Sequence, residues 1–143
     1  MMLISTNRKR TKASWVPGPA GCLVRHRGSL VVLSGDVPLI RPDTLRRLLE
    51  THQQADAALT LLTATLARPY GYGRILRKNG RLSRVVEERD ASEAQRQVRE
   101  INSGIYVLAL APLFDALREI PMSGALNEIY LPGLVAIYRR RGL

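Results

Sequence analysis

The stretch Ser29-Leu30-Val31-Val32-Leu33-Ser34-Gly35-Asp36 decides the fold. Its apolar part is continuous and rich in β-branched residues, the pattern of a strand covered on both faces within a parallel sheet. It ends abruptly in Ser34-Gly35-Asp36, so a polar turn with a carboxylate follows a buried strand. Downstream, Pro42 suits the first position of a helix and Asp43 suits the positive end of its dipole. Leu45, Leu48, Leu49 and His52 then recur at helical spacing, predicting one apolar stripe against the sheet. His52 closes that stripe and is read as a helix-surface histidine rather than a ligand. Ala57 to Leu66, rich in Leu, Thr and Ala, predicts the next strand. Strand, helix and strand at this spacing form a βαβ unit with a right-handed crossover.

Further along, Gly73 to Lys78 and Arg81 to Glu87 flank Asn79-Gly80, a pair suited to a type I′ hairpin turn. Ala91 to Arg99 is polar with helical potential. Ile101 to Leu110 predicts a strand broken by Gly104, and Pro112 to Ile120 a short helix. Ala125 to Arg140 predicts another helix, which Pro132-Gly133 must kink or break. The expected fold class is α/β, with a mostly parallel sheet carrying an inserted hairpin. In such sheets ligands bind beyond the carboxyl ends of the strands, which points at Asp36.

Composition bounds the function. The 143 residues carry 22 Lys plus Arg against 12 Asp plus Glu, a formal net charge of +10. That length predicts one domain with a real core. No apolar run approaches the roughly 18 residues that a membrane-spanning helix needs. The lone Cys22 excludes an internal disulfide framework and a cysteine-based zinc site, and it fits a reducing, cytoplasmic compartment. The charge sits mostly at the ends. Arg8, Lys9, Arg10, Lys12, Arg25 and Arg27 lie in residues 1–28 without an acid, and Arg139, Arg140 and Arg141 lie in the last five residues. The body between is close to neutral, and only Trp15 offers a stacking aromatic beside the N-terminal cluster, so nucleic acid is disfavoured as a partner. Residues 1–28 read as a basic, poorly ordered segment and residues 29–143 as the folded domain.

Four segments can carry chemistry. A carboxylate at Asp36 is a good anchor for Mg²⁺, which takes oxygen ligands beside substrate phosphates; a turn aspartate capping its own backbone is the equal alternative. In Tyr70-Gly71-Tyr72-Gly73-Arg74, two glycines flank an aromatic, which suits close backbone approach to a ligand or a tight bend before the hairpin. Glu87 follows directly on an apolar strand end, and Asn102 is a polar group embedded in a strand pattern. Each must find hydrogen-bond partners, in a sugar or in neighbouring loops.

Taken in order, Leu33-Ser34-Gly35-Asp36-Val37-Pro38-Leu39-Ile40, Gly71-Tyr72-Gly73-Arg74-Ile75, Val86-Glu87-Glu88-Arg89-Asp90-Ala91 and Gln95 to Gly104 closely resemble one family. It is the N-terminal uridylyltransferase domain of the bifunctional bacterial N-acetylglucosamine-1-phosphate uridyltransferase/glucosamine-1-phosphate acetyltransferase. Asn127-Glu128-Ile129-Tyr130-Leu131-Pro132 resembles a later segment of the same family. The resemblance runs from about Gly28 onward and implies a Rossmann-like nucleotide-diphospho-sugar transferase fold, truncated. It implies transfer of a uridylyl group from UTP to N-acetylglucosamine 1-phosphate for cell-envelope synthesis, with release of pyrophosphate. By matching position, Asp36 is implied as a Mg²⁺ ligand. Gly73, Glu87 and Asn102 are implied as the N-acetylglucosamine site, and Ser34 and Gly35 as lining of the nucleotide–sugar cleft, although the family often has tyrosine where Ser34 stands.

Residues 1–28 show no match to the family's glycine-rich loop, whose backbone amides and positive charge cradle the UTP phosphates. The expectation is therefore a partial domain with little or no activity alone. The alternative is a non-catalytic module that keeps the fold and contacts acidic partners through its basic ends. Without an opening strand, Ser29 to Leu33 would expose an apolar sheet edge and favour self-association.

Overall fold

A computed structural model describes residues 3–6 by their backbone, and residues 28–35, 37, 39–121 and 130–143 in full. The strands are β1 (Leu3–Thr6), β2 (Ser29–Ser34), β3 (Leu59–Thr65), β4 (Arg74–Lys78), β5 (Arg81–Val86) and β6 (Glu100–Ala109). The helices are α1 (Pro42–Gln54), α2 (Glu93–Arg96), α3 (Leu110–Arg118) and α4 (Gly133–Arg140).

All six strands among the described residues lie in one open sheet, and β6 organises it. Along one side β6 pairs with β3 over its whole length, from Thr65↔Glu100 to Leu59↔Leu108. The other side is shared: β2 pairs with its C-terminal half and β4 meets it at Arg74↔Ile101. Every one of these pairings is antiparallel, so β1, β2, β3 and β4 share a direction while only β1 and β2 are parallel neighbours. The α/β class is as expected, but the mostly parallel pairing is corrected, because β6 lies between the two strands of the βαβ unit. The reason is where the chain returns. After β3 it leaves the sheet for the hairpin and comes back at the same end, with the Leu66 amide donating to the Arg99 carbonyl at 3.0 Å. A strand that re-enters where its predecessor left must run the opposite way.

β2 is covered on both faces, as its apolar run predicted. Leu30 and Val32 join Tyr106, Leu108, Leu113, Leu134 and Ile137 under α3 and α4, while Val31 joins Leu48, Ile105 and Val107 under α1. Each such side chain contributes on the order of 1.5–3 kcal/mol by leaving water. Pro42 opens α1 and Asp43 lies in its first turn. His52 departs from its reading as a surface residue: it is 3% exposed, and its Nδ1 lies 2.9 Å from Thr60 Oγ1 on β3. β2 also has a partner on each side, β1 and β6, so the exposed edge expected there is absent.

The hairpin β4–β5 turns through Asn79 and Gly80 with φ of 53° and 75°, the expected mirror-image turn. α4 begins directly after Pro132, where a break was expected. Among the described residues no helix is long and apolar enough to cross a membrane.

Candidate functional site

Strand β6 is not broken at Gly104; it bulges there. Its partners on β3 step from Leu61↔Tyr106 to Thr63↔Asn102, so three residues of β6 stand opposite one of β3. Gly104 accommodates this with a φ of 77°, a conformation costly for any residue with a Cβ. A Cβ at this position would also stand 3.2 Å from Ser34 Cβ, so the end of β2 approaches the bulge closely. The bulge is stitched locally. Ser103 Oγ donates to the Leu62 carbonyl at 2.7 Å, the Ile105 amide donates to Ser103 Oγ at 3.3 Å, and the Gly104 amide donates to Asn102 Oδ1 at 2.9 Å. With Oδ1 engaged, Asn102 offers a ligand chiefly its amide donors.

The root of the hairpin meets β6 at the same place. The Asn102 amide donates to the Gly73 carbonyl at 2.9 Å, extending the pairing of Arg74 with Ile101. Across the hairpin, a Cβ on Gly73 would lie 3.2 Å from Glu87 Oε1 and from Val85 Cγ1. Gly73 is thus a point of close approach, held between the Glu87 carboxylate and Asn102. Burial pushes the Glu87 carboxyl above its ordinary 4.5; the Asp90 charge adds to this and the Arg89 charge opposes it.

Ser34, Gly73, Glu87 and Asn102 therefore come together from three elements. Ser34 accepts the Val37 amide at 3.2 Å in the turn that follows, and Gly35 stands exposed beside it. Asp36 lies outside the described residues, as do Asn127, Glu128 and Ile129. Tyr130 is described, and Arg89 lies 5.0 Å from its ring centroid and donates to its hydroxyl, which brings that segment beside the turn after Glu87.

Sequence reasoning missed Arg74. It is 2% exposed and donates to the Tyr72 carbonyl and, at 3.3 Å, to the Arg96 carbonyl. Its guanidinium lies 3.6 Å from Glu88 Oε1, while Glu88 Oε2 accepts the Gly71 amide. Arg74 and Glu88 thus strap the Gly71–Gly73 loop from beneath and hold Gly73 in place. The only sequence signal was an arginine opening a strand directly after a glycine pair.

Among the described residues no three His, Cys, Asp or Glu side chains gather as a metal site. A concavity of about 870 Å³ lined by Ala58, Leu59, Ala109, Pro112 and Val135 shares no residue with this cluster.

No protein-family model matches the chain. Bifunctional protein GlmU of Geobacter metallireducens is 46% identical over 129 residues, 90% of this chain and 27% of that protein. GlmU of Syntrophotalea carbinolica is 46% identical over 84% of the chain, and that of Mycobacterium marinum 43% over 82%. The chain spans about a quarter of the length of these relatives. An alignment of 129 residues is longer than residues 29–143 can supply, so the similarity continues into the first 28 residues, where none was expected. Among solved structures, UDP-glucose pyrophosphorylase superposes with a TM-score of 0.63 at 18% identity, covering 85% of this chain and 46% of that one. A structure of UDP-glucose pyrophosphorylase complexed with UDP-glucose gives 0.64 at 17%. These likenesses establish the fold.

Proposed function

With the chain a homologue of part of the GlmU proteins, we propose that it carries the sugar side of a uridylyl-transfer site. The reaction is UTP plus N-acetylglucosamine 1-phosphate giving UDP-N-acetylglucosamine and pyrophosphate. The observation that carries this reading is the convergence of Gly73, Glu87 and Asn102, held by the 2.9 Å bond from the Asn102 amide to the Gly73 carbonyl. Glu87 supplies an acceptor for a sugar hydroxyl, Asn102 supplies amide donors, and the bare α-carbon of Gly73 lets the ring approach the backbone.

In the transfer, a phosphate oxygen of the sugar phosphate bonds to the α-phosphorus of UTP while the bond to the bridging oxygen breaks and pyrophosphate leaves. The contribution of these residues is positioning. Ser34 and Gly35 line the cleft between sugar and nucleotide in this reading. By the family resemblance Asp36 would hold a Mg²⁺ ion, which would supply charge balance for the leaving pyrophosphate.

The 143 residues contain no glycine-rich Thr-Arg loop to cradle the triphosphate, and we take the chain alone to bind the sugar nucleotide without turning it over. Titration with UDP-N-acetylglucosamine, followed by amide chemical shifts, is expected to perturb Gly73, Asn102 and Gly104. No perturbation there overturns the sugar site. Release of pyrophosphate from UTP and N-acetylglucosamine 1-phosphate, lost in Asp36→Ala, overturns the inactivity.

A further inference from the structure

Tyr106 is 1% exposed, and its hydroxyl makes no hydrogen bond among the described residues. Leaving a buried hydroxyl unpaired costs on the order of 1–3 kcal/mol, and phenylalanine would fill the same space without that cost. The position of the hydroxyl gives it a use. Because the β6 bulge sets Asn102 opposite Thr63 and Tyr106 opposite Leu61, the two side chains stand on one face, where flat pairing would place them farther apart. Same-face neighbours of this kind are about 7 Å apart, within reach of a tyrosine. On its other side Tyr106 pairs with Val32, two residues before Ser34. The ring is anchored in the core with Leu30, Val32 and Leu108, so the hydroxyl has little freedom to move away.

Two members of the proposed sugar site act on this hydroxyl. Burial raises its ionisation far above the ordinary 10, the Asn102 side chain opposes that rise, and the Glu87 charge adds to it. Asn102 acts on the hydroxyl as a hydrogen-bonding side chain whose geometry is too open for a formed bond; with Oδ1 held by the Gly104 amide, its amide nitrogen is the atom that can donate. Tyr138 also has an unpaired buried hydroxyl, but it borders the concavity remote from these residues.

We propose that Tyr106 is a positioning residue of the sugar site, its hydroxyl bridging Asn102 and Glu87 when the sugar binds. The hydroxyl accepts from the Asn102 amide nitrogen and donates to the Glu87 carboxylate. One fixed group then orients both side chains that hold the ring. Polar contacts that are open in an empty site commonly close in the complex. The proposal rests on the sugar-site reading above.

Tyr106→Phe separates this role from a structural one. Wild type, Tyr106→Phe, Glu87→Gln and the double variant are titrated with UDP-N-acetylglucosamine and unfolded in urea. Tyr106→Phe is expected to be at least as stable as wild type yet to bind about tenfold more weakly, the worth of a hydrogen bond to a charged group. The double variant is expected to bind no more weakly than Glu87→Gln alone, because the hydroxyl acts through that carboxylate. Unchanged affinity in Tyr106→Phe overturns the proposal. So does a parallel loss of stability and affinity, or a failure to fold, either of which marks a purely structural tyrosine. Additive losses in the double variant overturn the bridge to Glu87. A wild-type chain that does not bind the sugar nucleotide overturns the sugar-site reading itself, a separate and recognisable failure.

Discussion

At the scale of single residues, Gly104 and Gly80 form a natural experiment. Their φ angles are 77° and 75°, so alanine is equally strained at either. A Cβ at Gly80 meets nothing within 4 Å, whereas at Gly104 it stands 3.2 Å from Ser34 Cβ. Gly80→Ala is expected to cost about 1 kcal/mol, and Gly104→Ala more than that, with a loss of ligand shifts at Asn102. Equal costs in urea unfolding would falsify the close approach of Ser34. His52 offers a pH test. Burial lowers its pKa from 6.5, partly offset by the Asp56 charge. The unfolded histidine therefore takes up a proton below about 6.5 that the folded one resists, so the fold loses stability as pH falls from there toward the lowered value. Glu87 works in the opposite sense. Its carboxyl is raised above 4.5, so the folded chain binds that proton more readily and gains stability as pH falls through the raised value. Thermal melts between pH 7 and 5 are expected to show a decline that His52→Gln reduces and Glu87→Gln steepens. Neither histidine's burial nor tyrosine's orphan hydroxyl was legible in the sequence, because both depend on which strand packs against α1 or lies beside Asn102.

At the scale of elements, the hairpin root is where the site is assembled. Local chemistry was readable here: Asn79-Gly80 announced the turn, and Ser92 with Gln95 caps α2 through a reciprocal pair of hydrogen bonds. The strap beneath the root was not, since Arg74 reaches Tyr72, Glu88 and Arg96, residues from three separate segments. Arg74→Met takes the guanidinium away from Glu88 and from the Tyr72 and Arg96 carbonyls. Removing one member of a buried pair costs about 3–5 kcal/mol where both charges are enclosed. Glu88 keeps some solvent access, so the expected loss is toward the low end. Arg74→Lys keeps the charge but not the fork of donors, and it is expected to recover only part of that loss. Hydrogen exchange at Gly71 and Asn102 should quicken in both variants; protection unchanged from wild type would remove Arg74 from the positioning of Gly73.

At the scale of the whole molecule, part of the net charge of +10 meets groups within the chain. Of the C-terminal arginines, Arg140 pairs with Glu119 at 2.5 Å, Arg141 pairs with the same carboxylate, and Arg139 donates to the Leu82 carbonyl at 2.8 Å. These contacts lay the C-terminal arginines along the chain's own surface, where Arg140 stays mostly exposed. Self-association, expected through β2, would have to use another edge of the sheet: β1, β3 and β5 each pair with a single strand among the described residues. Sedimentation velocity at rising concentration checks this, and a single species throughout removes these edges as interfaces. The sequence by itself determined the α/β class, the places of helix, turn and strand, and the identity of Ser34, Gly73, Glu87 and Asn102 as residues worth watching. Apart from Ser34, which only the family resemblance singled out, those properties rest on neighbours a few positions apart, which spacing and propensity report. Tertiary structure alone decided that β6 runs antiparallel between β2 and β3, that it bulges at Gly104, and that Arg74, His52 and Tyr106 are buried. These follow from contacts between residues far apart in the chain, and no local pattern records which distant strand a residue will meet.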